Sequence, residues 1–267
     1  MTRMASLHDV EVKIEFATDQ LHALDVEFDN LRESGEYQYS VEIRRGGLHH
    51  VYRAVDSPPA GRYWGTQIGS VAHALRSALE HLAWQLVIAN DGSPSNTTHF
   101  PILRRAPTDG PLRIRGGIAK EAMDIVEAVQ PYNGANDGKK LAAIHDLDVF
   151  DKHRELVVTT ATVHQASTHG PSPLPENSIV FTKRPMTHDN VVAIVKYVEP
   201  QLDADSNLSF TPYMTLGFGA PYRDEIVTGF MWELLGFVQD DFVPRFHQWV
   251  PPASRPVNMP TRPRHPR

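Results

Sequence analysis

Cysteine is absent from the 267 residues. That removes a disulfide framework, thiolate zinc sites, iron–sulfur clusters and a cysteine nucleophile, and leaves His, Asp and Glu as the only side chains for a metal. Also missing is an apolar run long enough to cross a bilayer, and the opening residues MTRMASLHDVEVKIEF have no unbroken apolar core of the kind a signal peptide carries. A cytoplasmic protein without membrane contact is expected. Basic charge is in deficit, with 26 Lys and Arg against 32 Asp and Glu and a formal charge of -6. This argues against nucleic acid held by the whole surface, while a local basic cleft stays open. No P-loop, Rossmann glycine fingerprint, G-x-S-x-G elbow or H-E-x-x-H occurs, so a nucleotide cofactor and the common hydrolase chemistries find no support. What is present, 41% hydrophobic and 22% charged residues, is the composition of an ordinary globular protein.

Periodicity orders the chain. Leu21, Leu24, Phe28 and Leu31 recur at helical spacing, which predicts a helix over 9–33, with the alternation at 10–16 offering a short strand before it. Tyr37, Tyr39, Val41 and Ile43 alternate with polar residues, and Arg45-Gly46-Gly47-Leu48 then turns a hairpin whose returning strand is 51–55. From 63 to 89, Ile68, Val71, Leu75, Ala78, Leu79, Leu82 and Leu86 project as one apolar stripe, with His73, Ser77, Glu80, His81 and Trp84 opposite it. Further helices are predicted over 118–129 and 139–158, although the β-branched residues 157–163 suit a strand. The prolines of 170–175 mark a linker. Strands at 178–183, 191–198 and 208–216 follow, then a last helix from Pro221 to about 249 and a Pro/Arg-rich tail. The expected fold is α+β: a helical bundle with a hairpin insertion over 1–169, a β-rich segment with a C-terminal helix over 176–249, and a disordered tail over 250–267.

Two constellations could carry chemistry. The first is Arg76-Ser-Ala-Leu-Glu-His81 on the 63–89 helix, off the apolar stripe. Cleavage of RNA by its own 2′-OH needs a group that moves protons and a cation that steadies the phosphorane, and His81 and Arg76 supply these types without a metal. The alternative is that Arg76 and Glu80 form an i,i+4 ion pair and His81 is a packed or solvated side chain. The same Arg-to-His spacing recurs at Arg44 and Arg45 before His49-His50. The second is Asp151-Lys-His-Arg154, which puts Asp151 between Ile144, Leu147 and Val158 on an otherwise apolar face, with Arg154 close by. A charge there needs a partner. Either Asp151 and Arg154 belong to an internal ion-pair set, or Asp151, His153 and Arg154 join the first constellation, with Asp151 orienting a histidine. His145 and Asp148 project to the polar face, where they are surface chemistry or a pair of metal ligands.

The 76–81 segment resembles the R-x4–6-H motif of HEPN domains, helical-bundle proteins of bacterial defence, toxin–antitoxin and RNA-processing systems. Many of them are metal-independent endoribonucleases. The resemblance implies a homodimer in which Arg76 and His81, about 140° apart around the helix, meet RNA at a cleft, with Ser77 at the family's usual polar position and no cofactor. The motif here lies earlier in the chain than is common for that family. More widely, GSVAHALRSALEHLAWQLV, HFPI, QPY and LAAIHDLDVFDKHREL, in that order, resemble a group of uncharacterised bacterial proteins with RSALDHL, FPI, QPY and DKHR segments. Glu80 stands where that group usually has Asp. That resemblance, over roughly 60–158, implies a shared scaffold with its chemistry near the RSALEH and DKHR helices. The function expected from these signals is a HEPN-like ribonuclease with Arg76, Ser77, His81, Asp151, His153 and Arg154 at the site. The alternative is a noncatalytic binding or oligomerisation protein in which the same residues form a buried polar network.

Overall fold

The structure is a computed structural model and describes residues 4–34, 37–55, 63–153, 158–168, 178–182, 184, 186–203, 208–216, 221–222 and 225–253. The fold is α+β, as the periodicity predicts. The first helix, α1 (His8–Glu33), takes in the 10–16 stretch that alternation offered as a strand. A strand would bury Val10, Val12, Ile14 and Phe16 on one face. Instead Val10 and Ile14 are inside with Ala17, Leu21, Leu24 and Phe28, at most 5% exposed, while Val12 and Phe16 are each 47% exposed. Spacing by threes and fours wins because it gives one continuous buried row.

The helix α2 (Trp64–Ala89) buries its whole predicted stripe. Next come α3 (Lys120–Ala128) and, after a turn at Pro131–Asn133 closed by left-handed Gly134, α4 (Asn136–His153). The expected helix to 158 stops at His153, and Val158–Thr168 is a strand, β3, in keeping with its β-branched residues. The expected single helix to 249 is shorter too. The helix α5 (Val227–Gly236) gives way to a π-helical turn at Phe237–Phe242 and a 3-10 turn at Val243–Phe246. The wider turn re-phases the chain so that Phe237, Phe242 and Phe246 all point inward, at most 1% exposed, and Pro244 cannot donate to a further α-turn.

The chain divides into two compact units. One comprises Met1–Glu15, Ala74–Ala142 and Phe237–Arg267. Its core holds the edge-on contact of Phe100 with Phe242, and Arg245 is ion-paired with Asp137 at 2.9 Å. Of the expected tail, residues 250–253 are described: Val250 is buried and the Pro251 carbonyl accepts the Leu7 N–H. The other unit comprises Phe16–His73 and Ala143–Gly236. It holds a four-stranded antiparallel sheet in the order β1 (Tyr39–Arg44), β2 (His49–Ala54), β5 (Val191–Lys196) and β4 (Ile179–Phe181), and an antiparallel ribbon of β3 with β6 (Leu208–Leu216). Strands of the 176–249 segment thus complete the sheet of the hairpin. Val51, Tyr52 and Ala54 of β2 are buried, so β2 requires a neighbour on each side. The hairpin turn has three consecutive positive φ angles, at Arg45, Gly46 and Gly47, and a side chain at Gly47 would strike the Gln201 backbone. The proline-rich linker at 170–175 lies outside the described residues.

Within this second unit Trp64 at the start of α2 is fixed by its indole N–H to Glu27, at 2.6 Å, and by edge-on contact with Phe28. Trp232 of α5 is held likewise by Asp25, at 2.7 Å.

Candidate functional site

Arg76 and Glu80 form the i,i+4 ion pair that their spacing allows, with side chains 14% and 30% exposed. The pair grips one residue of the FPI segment. Arg76 Nη2 donates to the Phe100 carbonyl at 2.9 Å, and the Phe100 N–H donates to Glu80 Oε2 at 2.8 Å. A loop that runs beside a helix without joining a sheet leaves its backbone polar groups to be satisfied by side chains, and here one ion pair satisfies both groups of one residue. The Phe100 ring is consequently 1% exposed. From the far side Gln130 of the QPY segment, itself fully buried, donates to the Pro101 and Val126 carbonyls and accepts the Leu103 N–H at 2.9 Å. The RSALEH, FPI and QPY segments are therefore parts of a single clamp. Tyr132 completes the turn by donating to Glu127, and burial together with this bond pushes its hydroxyl pKa up to about 12.

The other residues of the 76–81 constellation contribute less. Ser77 and His81 are half-buried on α2 and belong, with Arg76, to the first unit. The rival match ending at His50 is a fully buried ring whose Nε2 meets the Gln201 carbonyl at 2.8 Å.

In the second unit the structure brings together residues that the sequence pattern did not pair. Asp148 is 3% exposed, not on the polar face where projection placed it. One of its oxygens takes His73 Nδ1 at 2.8 Å and the other takes Lys152 Nζ at 2.7 Å. Both oxygens thus accept a hydrogen bond, one of them from a cation, which is the condition for keeping a carboxylate inside. His73 is the reverse of Asp148, with a side chain 56% exposed. An ionised carboxylate at Nδ1 holds the proton on that nitrogen and leaves Nε2 as the acceptor on the open side of the ring.

Asp151 lies one turn further along α4. Its carboxylate is pressed against the Cα of Gly69, so closely that any side chain at 69 would collide with it. The contacts Gly69 to Asp151 and His73 to Asp148 run in opposite senses along the two helices. The α2 and α4 segments are therefore antiparallel here, in register over one turn. Burial, and then the repulsion of Asp148, raise the Asp151 pKa above the ordinary carboxylate value, against the opposing pull of His73 and Lys152. Among the described residues no hydrogen-bond donor reaches this carboxylate. His153 is exposed at the end of α4, and Arg154 lies outside the described residues, as does any Asp151–Arg154 pairing.

No family model matches the chain, and no curated protein or solved structure matches it.

The imidazole–carboxylate pair expected from Asp151 is thus made by Asp148 with His73. Two signals in the sequence could have found it. Asp148 is three residues before Asp151 and shares its face, and Gly69 interrupts a strong helix one turn before His73, where an isolated glycine marks close packing. His145, with which Asp148 was paired as a possible metal ligand, is half-buried, and among the described residues no three His, Asp or Glu side chains are grouped to hold a metal ion. No helix among the described residues is long and apolar enough to cross a membrane. The cluster of His73, Asp148, Asp151 and Lys152 offers an oriented base, a carboxyl held at a raised pKa and a cation, which together can move protons at an anionic substrate.

Proposed function

We propose that the chain carries an acid–base site at His73, and that it acts as a HEPN-like, metal-independent endoribonuclease in bacterial defence or toxin–antitoxin biology. The single observation that carries the acid–base reading is the pairing of half-exposed His73 with buried Asp148. RNA as the substrate and a homodimer as the working form are what the resemblance of 76–81 to the HEPN motif implies, and the cytoplasm as the place is the expectation read from the sequence. In this reading His73, not His81, accepts the 2′-OH proton and Lys152, beside Asp148, faces the phosphate, while Arg76 holds the 99–103 loop.

A noncatalytic binding or oligomerisation protein is the second reading. It is favoured by the engagement of Arg76 with Glu80 and Phe100, which gives the motif a structural role.

Cleavage of a mixed-sequence RNA in EDTA, with growth toxicity beside it, separates the two for wild type, His73→Ala, Asp148→Asn, His81→Ala and Arg76→Ala, each checked by circular dichroism. Cleavage lost in His73→Ala and Asp148→Asn but kept in His81→Ala supports the first reading. A wild type that leaves RNA intact sinks it and favours the second.

A further inference from the structure

Residues 103–117 carry four Arg and one Asp in a chain whose formal charge is -6. The segment is thus +3 and the remainder -9. Its backbone is fixed from within the first unit. Gln130 Oε1 accepts the Leu103 N–H at 2.9 Å, the Thr98 hydroxyl donates to the Arg115 carbonyl at 2.8 Å, and the Gly117 N–H donates to the Ile114 carbonyl at 3.1 Å. A side chain at Gly116, whose φ is 103°, would strike Val87 of α2. Between these anchors burial alternates. Leu112 and Ile114 are 7% and 3% exposed, which turns Arg113 and Arg115 outward on one side, about 7 Å apart along an extended chain. Arg105 is exposed as well. Among the described residues no carboxylate pairs with Arg105, Arg113 or Arg115, whereas Arg104 is engaged. Exposed guanidinium groups without an anion, on a loop whose conformation is already set, lose little on binding one.

We propose that Arg105, Arg113 and Arg115 form a surface on which this protein takes up RNA by its phosphates. The choice of RNA rests on the ribonuclease reading, and the choice of phosphate over base rests on the loop itself. A guanidinium fork matches two oxygens of one phosphate. Residues 101–117 contain no aromatic side chain on which a base could stack. The contact is therefore with the backbone, and it carries no sequence information. Because the rest of the chain is acidic, a polyanion is repelled elsewhere and directed to this loop. The loop supplies affinity and no chemistry.

The test is fluorescence anisotropy of the full-length chain with a short labelled 2′-O-methyl strand, which has no free 2′-OH to be cut, in salt from about 50 to 200 mM. The wild type is expected to bind strands of different sequence alike. The combined Arg105→Gln, Arg113→Gln and Arg115→Gln variant weakens binding at least tenfold. The slope of log affinity against log salt, about -0.7 for each phosphate met on a single strand, shrinks by about 2. The same three positions changed to Lys keep most of the slope, since the charge remains. Unchanged affinity or slope in the Gln variant overturns the proposal. So does a wild type that ignores the strand, whether it binds nothing or sediments with phosphatidylserine vesicles instead. Where the Gln variant fails to fold by circular dichroism, the wild-type slope decides, and one near zero overturns the surface. Binding through the loop without cleavage of unmodified RNA upholds the surface and ends the ribonuclease reading. Cleavage by a Gln variant that binds as the wild type does overturns the surface and leaves that reading standing.

Discussion

Replacing Gly69 by alanine puts one methyl group into the seam between α2 and α4. Built on the native backbone, that carbon falls well under 3.0 Å from all three carboxyl atoms of Asp151, where ordinary contact begins at 3.4 Å. The carboxyl must withdraw. Overpacking of this kind costs about 1–3 kcal/mol. Against it stands the gain of exchanging glycine for alanine inside a helix, about 1 kcal/mol. The net effect expected is between neutral and a loss of about 2 kcal/mol. In an Asp151→Ala background the collision is gone and only the helix gain remains, so the same substitution stabilises by about 1 kcal/mol. The difference between the two backgrounds, about 1–3 kcal/mol, is the quantity to measure, by urea unfolding of the four chains of the double-mutant cycle. If alanine at 69 stabilises both backgrounds equally, the carboxylate is not where the structure puts it, and the antiparallel register of the His73 cluster goes with it.

The loop clamp and the pH dependence can be checked on the same instrument. Glu80→Ala strands the Phe100 N–H and removes one partner of the Arg76 guanidinium and is expected to cost about 1–3 kcal/mol, whereas Glu80→Gln keeps an acceptor for that N–H and costs less; an alanine variant within about 0.5 kcal/mol of wild type would contradict the clamp. Because the pKa of Asp151 is raised on folding, its contribution to stability is fully present below the ordinary aspartate value and is lost as pH rises through the raised one. Asp151→Asn should therefore gain thermal stability relative to wild type between about pH 4 and pH 7. A constant difference in Tm across that range would mean that the carboxyl is ionised throughout.

The four motif segments separate what a sequence pattern can and cannot report. Their order was legible, and so was the helical placement of the RSALEH segment, because α2 repeats its apolar residues at a period that admits one buried stripe. Ile68 through Leu86 lie where projection puts them. Their roles were not. Arg76 and His81 look like a phosphate site by type and spacing, yet Arg76 is ion-paired with Glu80 and donates to a backbone carbonyl 24 residues away, and spacing is silent about which loop returns to a helix. Asp148 was misplaced because α4 has polar residues on more than one face, with a buried Asp at 148 and exposed Lys152. A projection assigns such a helix by its majority, while the neighbouring helix assigns it by contact.

By itself, then, the sequence determined the α+β class, the positions of α2, α3, the hairpin and most strands, and the exclusion of thiol chemistry. All of these depend on local periodicity and composition, which any stretch of chain carries with it. Only the tertiary structure decided that β5 seals the hairpin, that Arg76 and Glu80 hold Phe100, and that His73 meets Asp148 while Asp151 rests on Gly69. Each joins residues more than ten positions apart. Whether such groups meet depends on which helix faces pack within the 3 Å or so that a hydrogen bond spans, and the charge cluster at His73 exists because two antiparallel helices share one register.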